Sequence, residues 1–313
     1  MSFGDKIKSE ILKHEDKHDL CPRAELCGIM CFGADIIYTK NGKNIKFASE
    51  NAAAVRRCFE LMKTAGVSAS IATAKNKLVR GGNIYSLALN EKETEKLLRK
   101  LRLYDREHKE NVVFHINPEV VKMPCCKKAF VRGAFLGGAS VVNPEKGYHL
   151  EFVTNRYNLS QDFCNLLLEF GLRPKSIKRK SSYIVYFKNS DEISDILSII
   201  GAHNMFMEFL NVKILKETRN NINRKVNCEN ANIDKTISAA FLQIKAINRL
   251  KETGVFDSMP EHLKAIAELR LKNKGETLQE LGEMMEPKIS KSAVNHRFRK
   301  IIELYEKLED KDV

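Results

Sequence analysis

The spacing of apolar residues divides the chain into two regions with different predicted secondary structure. Up to about residue 210, short helical patterns alternate with paired strand-like segments in which apolar and polar residues alternate. Beyond residue 228 the apolar residues recur with the helical period of about 3.6. The pattern therefore predicts an α+β region followed by an all-α region.

The α+β region contains an internal repeat. The segment CPRAELCGIMCFGADI (21–36) aligns without gaps to CKKAFVRGAFLGGASV (126–141), which pairs Gly28 with Gly133 and Gly33 with Gly138 at an offset of 105 residues. A period of this length indicates a duplicated domain rather than a solenoid. Because both copies are rich in small residues, we expect two helices that pack closely at a pseudo-twofold axis.

Each copy begins a unit with the predicted order helix, hairpin, helix, hairpin, helix. The supporting segments are a turn at 41–42, a helix over 52–66, a turn at 81–82 and a helix over 91–103, then a turn near 144–147, a helix over 159–171, strands near 175–187 and a helix over 191–200. We place the two halves at residues 1–105 and 106–210.

Residues 211–228 are polar, basic and rich in Asn, and we expect an extended linker before a helical domain at 229–313. Five basic residues of this segment could contact phosphate, although a solvated tether is the commoner meaning of such a run: Lys213, Lys216, Arg219, Arg224 and Lys225.

The helical domain contains a predicted helix-turn-helix motif. A long helix with an apolar face at Ile233, Ile237, Ala240, Phe241, Ile244 and Ile247 comes first. Capping-box patterns at 258–261 and 277–280 then open a helix to about residue 272 and a short second helix. Leu278, Leu281 and Met285 should face inward, and Gly282 should allow close packing. A turn containing Pro287 leads to a basic helix capped by Ser290.

The last helix has two distinct faces. Its apolar face consists of Val294, Phe298, Ile301, Ile302 and Tyr305. Its recognition face, which we predict to contact DNA bases, consists of Ser292, Asn295, His296 and Arg299. Arg299 suits guanine and Asn295 suits adenine. Predicted phosphate contacts are Thr277, Gln279, Lys288, Lys291, Arg297 and Lys300, although Arg297 falls nearer the apolar face. The alternative is an ordinary amphipathic surface helix.

Composition is compatible with a polyanionic partner. The formal net charge is +13, the pI is near 9.3, and 43% hydrophobic with 30% charged residues is typical of a globular chain. Nucleic acid, a membrane surface or a merely basic protein all fit this charge. The charged N-terminus does not resemble a secretory signal, and no apolar run is long enough to span a membrane. We therefore expect a cytoplasmic protein without a membrane partner.

The eight cysteines include no C-x-x-C pair, and we expect reduced thiols that lie mostly in the core. The adjacent Cys125 and Cys126 could bind metal or sense redox state, but no spaced partner accompanies them in the sequence. We predict no metal site and no cofactor.

The repeated motif resembles that of LAGLIDADG homing endonucleases, whose motif helices pack together and end in metal-binding acids. CGIMCFGADI and RGAFLGGASV carry Gly33 and Gly138 at the acid positions, and Asp35 corresponds to Ser140 in the second copy. Because metal-dependent cleavage needs carboxylates, we expect no catalytic residues. Basic residues of the strands and turns could add DNA contacts, or could be solvated, or the surface could bind a protein instead: Lys75, Lys77, Arg80, Lys175, Lys178, Arg179 and Lys180.

The whole chain resembles the WhiA family, through MPEHLKAIAELRLKN, TLQELGEM and ISKSAVNHRFRKI near the end and RGAFLGGASV and YHLEF earlier. The resemblance implies a non-enzymatic, nucleoid-associated binder of double-stranded DNA. Its expected role is transcription regulation, sporulation, or cell division and chromosome segregation. Two alternatives stay open: a scaffold for division or transcription proteins, and a residual metal-dependent nuclease.

Overall fold

A computed structural model describes residues 2–15, 18–40, 42–75, 82–104 and 111–310. The chain divides into two compact units, Met1–Lys216 and Glu217–Val313. The first unit is α+β and the second is helical, as the apolar pattern predicts.

The first unit contains the predicted duplication. After α1 (Phe3–Ile11), its first half consists of α2 (Cys21–Gly33), β1 (Ala34–Thr39), β2 (Gly42–Ser49), α3 (Ala52–Thr64), β3 (Ser70–Lys75), β4 (Asn83–Ala88) and α4 (Glu91–Leu101). Its second half consists of α5 (Pro124–Gly138), β5 (Ala139–Val141), β6 (Leu150–Thr154), α6 (Tyr157–Leu168), β7 (Lys175–Arg179), β8 (Ser182–Phe187) and α7 (Ser190–Ile199). The two antiparallel sheets have matching strand orders, β1-β2-β4-β3 and β5-β6-β8-β7.

Local sequence signals set several of the helix boundaries. Asn51, Asn90 and Asn189 each accept a backbone N–H in the first turn of α3, α4 and α7. Gly66 has φ of +66° directly after α3, a conformation that favours glycine and ends the helix. The predicted helix ends therefore agree with the structure to within a few residues.

Helices α2 and α5 pack against each other along a contact that we call the seam. A Cβ atom at Gly133 would lie 2.0 Å from the carbonyl oxygen of Glu25, and one at Gly28 would lie 2.3 Å from that of Phe130. Glu25 and Phe130 are themselves equivalent under the 105-residue offset. The reciprocal contacts are those of a pseudo-twofold axis, as predicted from the small residues.

An ion-pair network is buried beside the seam. Arg57 and Arg132 donate to the two carboxylate oxygens of Glu25, at 2.7 Å from Arg57 Nε to Oε1 and 2.9 Å from Arg132 Nε to Oε2. Glu25 and Arg132 are almost fully buried. Burial raises the pKa of Glu25, but the hydrogen bond from Arg57 and the charge of Arg132 outweigh it, so the pKa lies below its usual value of 4.5.

Helix α1 was not predicted, and it fixes the start of α8 (His203–Glu252). The backbone N–H groups of Asn204 and Met205 donate to the carboxylate of Glu10, at 2.7 and 3.0 Å. A carboxylate at a helix N-terminus satisfies unpaired N–H groups and opposes the positive end of the helix dipole. The charged N-terminal sequence therefore has a structural role.

The expected extended conformation of residues 211–228 is wrong, because this segment lies within α8. Residues 203–252 contain neither Gly nor Pro and many Lys, Arg, Asn and Glu residues. Nothing in the segment interrupts a helix, and Lys, Arg and Glu favour one. Gly201 and Gly254, both with positive φ, lie just outside its two ends.

The remaining elements of the second unit are a 3₁₀ helix (Val255–Ser258), α9 (Glu261–Lys272), α10 (Leu278–Glu283) and α11 (Lys291–Glu309). Two predictions about this unit are wrong in part. Along α8, Ile233, Ile237 and Phe241 are exposed, whereas Ile247 belongs to the core that the helix shares with α9, α10 and α11. The capping box at 258–261 does not form, since Ser258 donates to the carbonyl of Val255 at 2.8 Å and α9 begins after Pro260.

Candidate DNA interface

Helices α10 and α11 form the predicted helix-turn-helix. Leu281 of α10 and Val294, Phe298 and Ile301 of α11 are buried together in the core of the second unit. Leu278 and Met285 pack partly buried against the same core, as predicted. The apolar side of α11 therefore faces inward, which turns the opposite side of the helix outward.

The turn between these helices folds tightly over Gly282. A Cβ atom at Gly282 would lie 2.4 Å from the carbonyl oxygen of Ile289, and the Ile289 N–H donates to the Gly282 carbonyl at 3.0 Å. Thr277 and Glu280 form the predicted capping box at the start of α10. The small residue and the cap fix the direction in which α11 leaves the turn.

Arg270 of α9 is buried and holds the segment that precedes α10. Its guanidinium donates to Gln243 Oε1 at 3.0 Å and to the Glu276 carbonyl at 2.6 Å, and it lies 5.5 Å from the Phe298 ring. Burial lowers the pKa of Arg270, while the charge of Glu276 raises it. The sequence analysis missed this residue, although its spacing from Leu263, Ile266 and Ala267 puts it on the apolar face of α9.

The recognition face lies on the outer side of the first half of α11. Ser292, His296 and Arg299 are exposed and Asn295 is half-buried, with the spacing i, i+3, i+4, i+7 that aligns side chains on one face. Ser290 caps the helix by accepting from the Ala293 N–H at 3.3 Å, and its Oγ lies 2.9 Å from Ser292 Oγ. The structure thus brings all four predicted base-contacting residues together.

The predicted phosphate-binding residues differ in what else they contact. Lys288, Lys291 and Lys300 are exposed. Arg297 is half-buried and donates to the His262 carbonyl at 3.3 Å, which ties α11 to the start of α9. The remaining two residues make contacts within α10: Thr277 caps the helix, and Gln279 Nε2 donates to Glu283 Oε1 at 3.3 Å.

Two acidic side chains on and before α10 were not predicted to affect the interface. A hydrogen bond from the Thr277 N–H lowers the pKa of Glu280, and a hydrogen bond with Glu280 raises the pKa of Glu276. Glu280 is exposed and Glu276 is half-buried, on the surface that precedes the turn. Their negative charge opposes phosphate there and leaves α11 as the basic surface of the motif.

The strand register separates the predicted auxiliary residues. In each sheet, we call inner the face that carries the core residues, including Phe47, Leu87 and Phe152, and outer the opposite face. Lys175 and Arg179 lie on the outer face of the second sheet, opposite Tyr186 and Ser182.

Three other predicted auxiliary residues do not lie on an outer face. Lys75 lies on the inner face of the first sheet. Its partner Asn83 precedes Tyr85 by two residues and Leu87 by four, and alternate residues of a strand share a face. Lys178 is opposite Tyr183 on the inner side of the second sheet, 5.7 Å from its ring, and Lys180 occupies a turn with φ of +54°. Lys77 and Arg80 lie outside the described residues.

The ends of the motif helices have no room for a metal-binding acid. A Cβ atom at Gly33 would lie 2.7 Å from the Gly137 carbonyl oxygen, and one at Gly138 would lie 2.9 Å from that of Val153. Nearby, Asp35 is opposite Lys46, while Ser140 donates to Glu151 at 3.0 Å. Within the described residues, no group of three or more candidate metal ligands lies at this end of the seam.

Among the described helices, none is both long enough and apolar enough to cross a membrane. A duplicated domain without the catalytic acids, in the same chain as a helix-turn-helix with a basic outer helix, defines a class of DNA-binding proteins with a degenerate LAGLIDADG domain.

Three family descriptions match consecutive parts of the chain: the WhiA N-terminal LAGLIDADG-like domain at residues 19–104, the WhiA LAGLIDADG-like domain at 127–219 and the WhiA C-terminal HTH domain at 222–305. The chain belongs to the WhiA family.

Relatives match over almost the full length. The "Probable cell division protein WhiA" of Clostridium botulinum (strain Hall) is 40% identical over 311 residues, which cover 98% of this chain and 99% of the relative. The protein of the same name from Clostridium tetani is 40% identical over 312 residues, with 98% of each chain covered. The crystal structure of full-length DUF199/WhiA from Thermatoga maritima has a TM-score of 0.59 at 25% identity and covers 98% of this chain and 99% of its own.

Proposed function

We propose that the chain is a sequence-specific binder of double-stranded DNA that regulates transcription and takes part in cell division and chromosome segregation. The observation that carries the proposal is the recognition face, four polar side chains on the outer side of an α11 whose other side is locked in the core. The name of the curated relatives, a probable cell division protein, supports the cellular role.

Charge and helix geometry support this reading of the motif. The positive end of the α11 dipole and the exposed Lys288, Lys291 and Lys300 flank the recognition face. Such groups bind phosphates and fix the position of a helix in the major groove, where Arg299 and Asn295 can form paired hydrogen bonds with guanine and adenine. Phosphate contacts account for affinity and the recognition face for sequence preference.

Fluorescence anisotropy of the full chain on a genomic binding site and on a scrambled duplex tests this division. Arg299→Ala should weaken binding to the genomic site by about 1–3 kcal/mol and leave the scrambled duplex nearly unchanged. Lys291→Ala should weaken binding to both duplexes alike, because phosphate is common to both.

Lys307→Ala is the matched control, since Lys307 is exposed on the same helix but in its last turn. It should bind both duplexes as the wild type does. Equal losses on the two duplexes for Arg299→Ala would show that Arg299 contacts phosphate and would remove it from the recognition face.

We further propose that the chain has no nuclease activity. The proposal rests on Gly33 and Gly138, where backbone oxygens occupy the space that an acidic side chain would need. Two-metal cleavage requires carboxylates that hold the ions beside the scissile phosphate. Supercoiled plasmid incubated with the purified protein should stay intact with and without Mg²⁺, and Mg²⁺-dependent nicking that co-purifies with the protein would contradict the proposal.

A scaffold for division or transcription proteins is the second candidate, and the outer face of the first sheet favours it. That face carries Ile37, Ala48, Ala72, Ala74 and Ala88, and its Lys46 is paired with Asp35. Such a surface suits protein contact better than phosphate. A scaffold would keep its cellular role after deletion of residues 226–313, whereas a DNA-binding regulator would lose it. For the regulator we propose a cytoplasmic, nucleoid-associated location, which a fluorescent fusion overlapping a DNA stain would test.

A further inference from the structure

Four potential metal ligands meet at the other end of the seam, away from Gly33 and Gly138. The ligand atoms of His18, Cys21, Cys125 and Cys126 all lie within 4.8 Å of one another, and we call this group the His–Cys cluster. Cys21 and Cys126 are buried, while His18 and Cys125 are partly buried. The fold thus supplies Cys125 and Cys126 with the partners that the sequence analysis did not find.

The duplication explains why the cluster forms. Cys21 and Cys126 are equivalent under the 105-residue offset and lie in the first turns of α2 and α5. Since the two helices are related by the pseudo-twofold axis, their first turns meet at one end of the seam. Cys125 precedes Cys126, and His18 lies in the segment that leads into α2, so ligands come from both halves of the domain.

The donor set is characteristic of zinc. Three thiolates and one imidazole form one of the common tetrahedral structural sites of Zn²⁺, and soft sulfur ligands disfavour Mg²⁺ and Ca²⁺. With Zn–S bonds of about 2.3 Å, tetrahedral geometry separates two ligand sulfurs by about 3.8 Å. Ligand atoms within 4.8 Å of one another need only small movements to close around one ion. An iron–sulfur cluster would hold its thiolates farther apart.

Both motif helices begin at the cluster. Neither helix has a side-chain capping hydrogen bond at its N-cap residue, which is Leu20 in α2 and Met123 in α5. The positive ends of the two helix dipoles therefore lie beside the ligands, where they attract negative charge.

We propose that His18, Cys21, Cys125 and Cys126 bind one Zn²⁺ ion, which joins the two halves of the duplicated domain at the N-terminal end of the seam. The ion holds α2 and α5 together where these helices begin, as the glycine contacts do along the rest of the seam. It also anchors residues 18–20 at the start of α2.

His18 must change one hydrogen bond to bind the ion. Its Nδ1 accepts from the Leu20 N–H at 3.2 Å, so this nitrogen carries the lone pair in that arrangement. Coordination through Nδ1 replaces the amide as its partner, whereas coordination through Nε2 moves the ring proton to Nδ1. Either route needs only a local rearrangement of residues 18–20.

Metal analysis of the full-length chain, purified under reducing conditions without chelator and reconstituted with Zn²⁺, tests the proposal. About one zinc per chain should remain after desalting. Substitution by Co²⁺ should produce the absorption bands of tetrahedral cobalt with thiolate ligands. Cys125→Ser should lower zinc affinity at least about tenfold in competition with a chromophoric chelator, since it removes one of four ligands.

Cys164→Ser is the matched control, because Cys164 is also a partly buried cysteine in a helix of the same unit. It should retain full zinc content. If Cys125→Ser misfolds, the wild type still provides a test: zinc should protect three thiols from alkylation, and mass spectrometry should locate them at 21, 125 and 126.

Four results would overturn the proposal. One is a zinc content near zero in the reconstituted wild type, and another is equal zinc binding by Cys125→Ser and Cys164→Ser. The third is a disulfide between cluster cysteines that persists in reductant. An iron–sulfur absorption spectrum would show that the cluster binds iron instead of zinc and would also contradict the assignment.

Discussion

Glu25 and Arg132 lie on opposite helices of the seam, and their ion pair is shielded from water. Burial raises the pKa of Glu25, but the hydrogen bond from Arg57 and the charges of Arg132 and Arg57 outweigh it and hold the pKa below 4.5. Above pH 4.5 the carboxylate is charged in both the folded and the unfolded chain, and the ion pairs contribute in full. As the pH falls toward the folded pKa, the unfolded chain binds the proton first and the contribution is lost.

We therefore predict that the unfolding free energy of Glu25→Gln, measured by urea unfolding at pH 7, is about 3–5 kcal/mol below that of the wild type, because the buried Arg132 and the partly buried Arg57 lose the carboxylate of Glu25. The difference in unfolding free energy should narrow as the pH falls below 4.5. Glu60→Gln, on the exposed side of α3, is the control and should unfold like the wild type at every pH. A gap that stays constant from pH 7 to pH 3 would contradict this account.

Arg270 is the corresponding buried charge of the second unit. Arg270→Met should leave Gln243 Oε1 and the Glu276 carbonyl without this donor, at a cost of about 1–3 kcal/mol for each group that stays unsatisfied. Hydrogen exchange in α9, α10 and α11 should accelerate, while exchange in α2 and α5 should not. Lys264→Met on the same helix removes only a surface pair with Glu261 and should change exchange little.

At the scale of elements, the close approach of α2 and α5 depends on glycine. Gly133→Ala should lower the unfolding free energy by about 1–3 kcal/mol or more, because the added Cβ would lie 2.0 Å from the backbone oxygen of Glu25. Gly147→Ala is the control, since its Cβ would meet no atom within 4 Å. Urea unfolding measures both, and equal stabilities would mean that the helices can separate without cost.

Elements that follow from local chemistry were predictable, and those that depend on distant partners were not. The capping box of Thr277, the cap at Ser290 and the repeated hairpins are encoded within a few residues. Helix α1 has a local signal that was missed, the capping box of Ser2 and Asp5, whereas the contact of Glu10 with the start of α8 joins residues almost 200 positions apart. The polar composition of residues 211–228 suggested a linker, but the absence of Gly and Pro permits a helix.

At the candidate DNA interface too, the features set by local sequence were predictable, and those set by contacts between helices were not. Helical spacing alone sorted Ser292, Asn295, His296 and Arg299 from the apolar side of α11. The contact of Arg297 with His262 and the burial of Arg270 needed the packing of three helices. Likewise, strand register rather than composition decides which lysines of β7 share a face.

For the whole molecule, the question is whether the duplicated domain also touches DNA. Lys175 and Arg179 lie on the outer face of the second sheet, whereas Lys178 lies on the inner face and Lys180 in the turn. If the outer face binds DNA, Lys175→Ala combined with Arg179→Ala should reduce the slope of log affinity against log salt by about 0.9 for each lost phosphate contact.

Lys178→Ala combined with Lys180→Ala removes the same charge from the same hairpin and serves as the control. Its salt dependence should match that of the wild type. Identical slopes for both double variants would instead assign the duplicated domain to protein contacts, and would leave DNA binding to the helix-turn-helix.

Selection of bound duplexes from a random DNA library, with the full-length wild type and Arg299→Ala in parallel, tests the central claim most directly. The wild type should enrich a defined motif. Arg299→Ala should enrich the same motif with the preference lost at one position, where the wild type selects guanine. A wild type that enriches no motif, or an Arg299→Ala variant that enriches an unchanged one, would contradict base recognition by α11.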